Sequence, residues 1–387
     1  MLAPHPFRLF PNPNAGTPGI VVLSDRGFRG ARAEITSWPG YAETLLHDLP
    51  EIAAEAGVAA VRLKDESTRF GLGSFKALGG AYAVAQALGT ELARRGVAPQ
   101  ATSADLVAGS YLDSTRDITV TCATDGNHGR SVAWGAQRFG CRCLIYVHST
   151  VSQGRVDAIA RYGADVRRVP GTYDDAVRQA ARDAEANGWF VISDTSYEGY
   201  TTVPVDVMQG YRLMAEEALA QWQGPPPTHC FMQGGVGGAA AAVSVQLRST
   251  ISPPPIFVVA EPDKAACLLA SAEAGQPVAI PGNLDTLMAG LACGEPSLLA
   301  WQELSRATDV FMAVPDEAAV DCMRLLARLR IVAGESGVAG LAAMLLAAAD
   351  PSARAALSLG PDSRVLLFST EGATDPELYT RLVADVV

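Results

Sequence analysis

Lysine is almost missing from this chain. Of the 30 Lys plus Arg residues among 387, only Lys64, Lys76 and Lys264 are lysines. An arginine guanidinium stays charged, so chemistry that needs an amine able to lose its proton has few places to reside. Long apolar runs are missing as well. The most apolar stretch, "VAGLAAMLLAAA" at 338–349, is too short to span a bilayer, stops at Asp350-Pro351, and reads as a buried helix. The first residues, "MLAPHPFRLFPNPNAG", carry no continuous apolar segment of the kind a signal peptide needs and read as an ordered or semi-ordered arm. There is no basic excess: a net charge of −11 and a pI near 5.0 argue against nucleic-acid or anionic-membrane partners. Seven scattered cysteines, an odd number, argue against a disulfide framework and for a reducing cytoplasm. No internal repeat or low-complexity tract stands out.

What is present is ample core material, 49% hydrophobic residues, in a length that suggests two or three domains. Short β-branched or aromatic runs alternate with helical patterns, the signature of parallel sheets with crossover helices. The segments 118–124, 143–149, 165–170 and 189–193 read as strands, and so do 229–233, 256–261 and 364–369. Helices are expected at 128–140, closed by Gly140, at 152–163, capped by Ser152, and from a Thr172/Asp175 capping box to near Gly188. The Pro-rich "GPPPTH" at 224–229 divides the two sets of strands into two α/β lobes. Several strands run straight into polar or glycine-rich segments: "DGNHG", "DTSYEGY", "GGVGG" and "TEGATD". Ligands of open α/β sheets bind outside the carboxyl ends of the strands, so these four ends are expected to converge on one cofactor-sized cleft.

Three motifs carry the chemistry. Lys76 lies inside the apolar run "SFKALGGAYAV" (74–84), either as a snorkelling side chain at a helix start or as an amine that must shed its proton. "QGGVGGAAAAV" (233–243) joins a strand to an Ala-rich helix; it is either a nest for a single phosphate or a tight turn with close helix–sheet packing. It has neither a Walker lysine nor dinucleotide spacing. In "CATDGNHGRSVAW" (122–134), Asn127 offers an amide hydrogen to a phenolate-like oxygen, His128 reads as structural, and Asp125 reads as a helix cap.

The strings "RLKDESTRFGLGSFKALGGAYAV", "CATDGNHGRSVAWGAQRFG", "SQGRVDAIARYGADVRRV", "QGGVGG" and "GESGVAGLAAM" occur in an order that resembles the fold-type II pyridoxal-phosphate enzymes, the group of threonine dehydratase and the tryptophan synthase β subunit. The resemblance runs from about Trp38 to the C-terminus. Within the group, "KDESTRFGLGSFKALGG", "ATDGNHGR", "SDTSYEGYTTVPVDVMQGY", "MAGLACGEPS" and "STEGATDP" are similar to the diaminopropionate ammonia-lyases. The resemblance implies an α/β fold of two open twisted-sheet lobes, 1–75 with 200–387 and 76–199, with pyridoxal 5'-phosphate in the cleft between them. It implies β-elimination of 2,3-diaminopropionate to pyruvate and two ammonia. The alternatives on the same fold are a serine or threonine dehydratase and a β-replacement enzyme; a catalytically silent binding module is a further reading.

By the same resemblance Lys76 holds the cofactor as an internal Schiff base. Gly234, Gly235, Val236, Gly237 and Gly238 donate to its phosphate, Asn127 holds the ring hydroxyl oxygen, and Ser369, or else Thr370, faces the pyridine nitrogen. Asp125 and Asp194 serve opposite faces of the substrate, Asp125 for the D form and Asp194 for the L form; from its residues alone Asp194 is equally a turn residue. Glu335 either positions the ring or caps a helix. Lys64 is expected in structural ion pairs, Lys264 at the surface, Trp134 and Tyr173 in packing. Cys267 and Cys293 fall in family-like strings near the implied cleft, where they could approach each other as a redox-sensitive pair, although two buried reduced thiols are expected in a cytoplasm. The partner is a small amino-acid substrate, with no metal, no nucleic acid and no membrane, and the chain is expected to form a homodimer.

Overall fold

The computed structural model describes residues 3–17, 19–124, 126–171 and 173–384; Asp125 and Thr172 lie outside them. The described residues form eleven strands: β1 (Arg8–Pro11), β2 (Leu46–Asp48), β3 (Ala60–Asp65), β4 (Thr119–Ala123), β5 (Arg142–His148), β6 (Asp165–Val169), β7 (Phe190–Val191), β8 (His229–Gln233), β9 (Ile256–Pro262), β10 (Val310–Val314) and β11 (Arg364–Ser369). Strands buried on both faces read as unbroken apolar runs, and β8, β10 and β11 are nearly that.

The chain divides into two compact units. The larger takes residues up to Leu23, Glu43–Gly73 and everything from Met214 on; the smaller takes Ser24–Ala42 and Ser74–Leu213. The larger carries a seven-stranded sheet in the order β1-β10-β9-β8-β11-β3-β2, antiparallel only at its two edge pairs. The N-terminal arm supplies edge strand β1, paired with β10. The wholly apolar Ala339–Ala349 helix is buried against this sheet, and Asp350 ends it by capping the next helix through the Ala353 N–H. The smaller unit has a four-stranded parallel sheet, β6-β5-β4-β7.

The unit boundaries differ from those expected. Residues 24–42 and 200–213 go with the smaller unit because they pack on one another and on the Ala77–Arg94 helix. Arg212 Nη2 meets Asp25 Oδ1 at 2.9 Å, and Gln209 Nε2 donates to the Ser24 carbonyl at 3.0 Å. A Cβ on Gly210 would lie 1.8 Å from the Leu78 carbonyl oxygen, so backbone touches backbone there. The Pro-rich 224–229 segment does not divide the units; it lies within the larger one and leads from the Thr202–Gln221 helix into β8.

Candidate active site

In the smaller unit Lys76 stands at the N-cap of the Ala77–Arg94 helix. The glycine pair behind it allows helices to close in: a Cβ on Gly79 would meet the Tyr211 ring at 2.5 Å, and one on Gly80 the Ser131 hydroxyl. The ammonium passes the faces of Phe75 and Tyr211 at 5.1 and 5.7 Å from the ring centroids. It then donates to Asp194 Oδ2 at 2.6 Å. Its side chain is only 20% exposed, which is not the posture of a snorkelling surface lysine.

Asp194 lies just past β7, and the sequence gives no hint of how firmly its turn is held. The Tyr200 hydroxyl donates to the Val191 carbonyl at 2.8 Å and accepts from the Ser193 N–H at 3.0 Å. His128 Nε2 lies 2.7 Å from the Ile192 carbonyl, and its Nδ1 is 3.7 Å from Asp194 Oδ2. His128 has thus taken the Ile192 carbonyl that would extend the ladder to β4, and β7 pairs over two residues where five were expected. Burial would raise the Asp194 carboxyl, but the charge and hydrogen bond of the Lys76 ammonium oppose it and hold the group well below the usual carboxylate range.

Asn127 opens the Asn127–Phe139 helix, and its Oδ1 accepts from Arg130 Nη2 at 2.6 Å. A guanidinium can only donate, so the carbonyl end of the amide is the end it holds, and the NH₂ end is turned away from Arg130. This is the orientation an amide donor to a ring oxygen requires. Spacing alone did not single out this contact with Arg130.

In the larger unit β8 leads through Gly234–Gly237 into the Gly238–Thr250 helix. Gly235 and Gly237 have φ of +62° and +96°, where a side chain would strain the backbone. A Cβ on Gly234 would sit 2.7 Å from Glu261 Cγ. The N–H groups of Gly235, Val236 and Gly238 have no hydrogen-bond acceptor among the described residues. Orphan donors at the start of a thirteen-residue helix suit an anion, and the loop therefore fits a phosphate. Gln233 steadies the strand end by donating to the Gly337 carbonyl at 2.6 Å and the Phe368 carbonyl at 2.7 Å.

Ser369 ends β11, fully buried, with its hydroxyl 3.3 Å from the Glu371 carbonyl; Thr370 follows it, also buried. A bond that long is easily redirected to a better acceptor. Glu335 is buried in the same unit, next to Ser336, whose N–H meets Glu371 Oε1 at 3.1 Å. Cys267 and Cys293 are both free thiols flanking Gly235: Cys267 Sγ approaches the Gly235 carbonyl at 3.6 Å, and a Cβ on Gly235 would be 3.9 Å from Cys293 Sγ. Lys64 is fully buried and pairs with Glu217 at 2.8 Å, whereas Lys264 is half exposed beside Asp316. Trp134 packs on Trp38 with ring centroids 6.0 Å apart. Among the described residues no cluster of side chains could hold a metal ion, and no helix is long and apolar enough to cross a membrane.

The family model described as pyridoxal-phosphate dependent enzyme matches residues 38–371. Diaminopropionate ammonia-lyase of Escherichia coli K12 is 39% identical over 357 residues, covering 89% of this chain and 88% of its own length. The crystal structure of the selenomethionine-incorporated holo form of the Escherichia coli protein superposes with a TM-score of 0.91 at 36% identity, covering 100% of this chain and 98% of that one. A second Escherichia coli structure, in complex with an aminoacrylate-PLP azomethine reaction intermediate, gives 0.87 at the same identity and coverage. The chain belongs to the fold-type II pyridoxal-phosphate dependent enzymes and, among them, to the diaminopropionate ammonia-lyase family.

Proposed function

We propose that the chain catalyses β-elimination of 2,3-diaminopropionate, with water, to pyruvate and two ammonia. The observation that carries this reading is the contact of 2.6 Å between Lys76 Nζ and Asp194 Oδ2: a rare lysine, largely buried, delivered to a carboxylate at a strand end. The Escherichia coli relative supports it through its name and through its complex with an aminoacrylate intermediate. Pyridoxal phosphate, when bound, supplies an aldehyde and an electron-withdrawing ring that makes the substrate's α-hydrogen removable.

The chain's residues do the remainder. Lys76 Nζ, once deprotonated, is the nucleophile toward the cofactor aldehyde and later displaces the product. Asp194 takes the α-proton of the L-substrate and Asp125 that of the D-substrate, and both carboxylates attract the substrate's second ammonium group. The N–H groups of Gly235, Val236 and Gly238 hold the phosphate, those of Gly234 and Gly237 being taken by the Ala260 and Gly234 carbonyls instead of serving it as expected, and the Asn127 amide donates to the ring hydroxyl oxygen. Ser369 or Thr370 meets the pyridine nitrogen with a hydroxyl rather than a carboxylate. That choice leaves the nitrogen unprotonated and favours elimination. Glu335 positions the ring. On this reading the chain works as a cytoplasmic homodimer.

Counting products tests it. Diaminopropionate should yield two ammonia for each pyruvate, from one or both enantiomers. Turnover confined to serine or threonine, with a single ammonia per keto acid, would make the protein a dehydratase instead.

A further inference from the structure

His128 is buried, and only one side of its ring is satisfied. Nε2 lies against the Ile192 carbonyl at 2.7 Å, and a carbonyl can only accept, so Nε2 carries the proton. Nδ1 therefore presents a lone pair. It has no hydrogen-bond partner among the described residues, and it faces Asp194 Oδ2 across 3.7 Å. That oxygen also receives the Lys76 ammonium. Burial lowers the His128 imidazole, with Lys76 pushing the same way and Asp194 opposing, so the ring stays neutral. An acceptor facing an acceptor is an interaction that lacks one proton.

We propose that His128 is a positioning residue for Asp194, whose Nδ1 accepts a hydrogen bond from the Asp194 carboxyl after that group has taken the substrate's α-proton. This rests on Asp194 serving as an α-proton base. The α C–H bond breaks, its electron pair stays with carbon, and an O–H bond forms on Asp194; nothing is oxidised or reduced. Lys76 and His128 then favour opposite protonation states of one carboxyl. While Lys76 is an ammonium, its charge holds Asp194 as the anion. When the Lys76 nitrogen is engaged elsewhere and uncharged, the lone pair of Nδ1 favours the acid. The carboxyl gains basicity at the stage where it must act.

Among the described residues, the other titratable groups around Asp194 do not compete. Cys122 on β4, Tyr200 beyond β7 and Tyr211 on the Thr202–Gln221 helix are each raised by burial and stay neutral at ordinary pH. Among the described residues, Lys76 and Asp194 are the charges that act on the imidazole.

Two measurements test the proposal. His128→Gln keeps an N–H for the Ile192 carbonyl and removes the acceptor at Nδ1. Its kcat on the L-substrate should fall on the order of ten- to a hundredfold, with KM and D-substrate turnover little changed. Equal losses on both enantiomers, or no loss, would reduce His128 to a packing residue. The second measurement needs no turnover: nitrogen NMR of histidine-labelled full chain without added cofactor, with His128→Gln identifying the resonance. Lys76→Met removes the neighbouring positive charge, so the pH at which Nδ1 takes a proton should rise by about one unit or more. An unchanged midpoint overturns the proposal even if the enzyme proves to act on another substrate.

Discussion

Asp194 shows how much of a site can hang on backbone groups. The Tyr200 hydroxyl bridges the Val191 carbonyl and the Ser193 N–H, and His128 takes the Ile192 carbonyl between them. Tyr200→Phe keeps the stack on Tyr197, at 5.0 Å between centroids, but leaves two backbone groups unpaired. It should cost about 1–3 kcal/mol in denaturant unfolding, and it should lower turnover of the L-substrate more than that of the D-substrate. Asp194→Asn should cost on the order of a hundredfold or more in L-substrate kcat; a change of less than threefold would remove it from the chemistry. Lys76 was singled out in the sequence by the scarcity of lysine together with the family strings around it. Tyr200 was not, because its partners are main-chain atoms that no spacing reveals.

Elements built on apolar runs were legible to the residue: β8 and β11 fall at 229–233 and 364–369 as expected. Elements set by packing were not. Nothing in the sequence says that Gly210 lies against the Leu78 carbonyl, yet this contact assigns half a helix to the smaller unit. Gly210→Ala should therefore be severely destabilising, on the order of 4 kcal/mol or more, whereas a Cβ on Gly30 meets nothing within 4 Å. Gly30→Ala should raise stability by up to about 1 kcal/mol through helix propensity. Thermal unfolding of the two variants separates close packing from propensity.

Glu261, packed beside Gly234, gives the stability of the fold a pH dependence of its own. Its carboxylate accepts from the Leu268 and Leu269 N–H groups, both at 2.8 Å, yet burial pushes it up to about 8. The folded chain therefore holds this proton in a range where the unfolded chain has released it. Stability must fall as pH rises from about 4.5 towards 8. Glu261→Gln should remove that slope. A constant offset from wild type at every pH would mean that the carboxyl is ionised throughout.

At the scale of the whole molecule, the least expected feature is a buried ionic network in the larger unit. Arg69 meets Glu66 at 2.8 Å and Glu217 at 2.7 Å, and Lys64 meets Glu217 at 2.8 Å, all four side chains at 3% exposure or less. It joins β3, the turn that leads towards Lys76, and the Thr202–Gln221 helix. The ion pairs of Lys64 were anticipated; that they lie in a central strand was not, because charge in a sequence reads as surface. Burial opposes ionisation of Glu217, but Arg69 and Lys64 outweigh it and lower its pKa. Its contribution is thus complete above the ordinary carboxylate value and is lost as pH falls below about 4.5. Glu217→Gln leaves two buried cations with one anion and should cost about 3–5 kcal/mol near neutral pH, a deficit that narrows in acid.

The family, the cofactor and the reaction all converge on one amine. Borohydride reduction of the purified protein, followed by peptide mapping, should place a single pyridoxyl tag on Lys76, and Lys76→Ala should lose both the tag and the visible absorbance. A tag on Lys64 or Lys264, or none on a protein that still releases ammonia from diaminopropionate, would contradict the assignment.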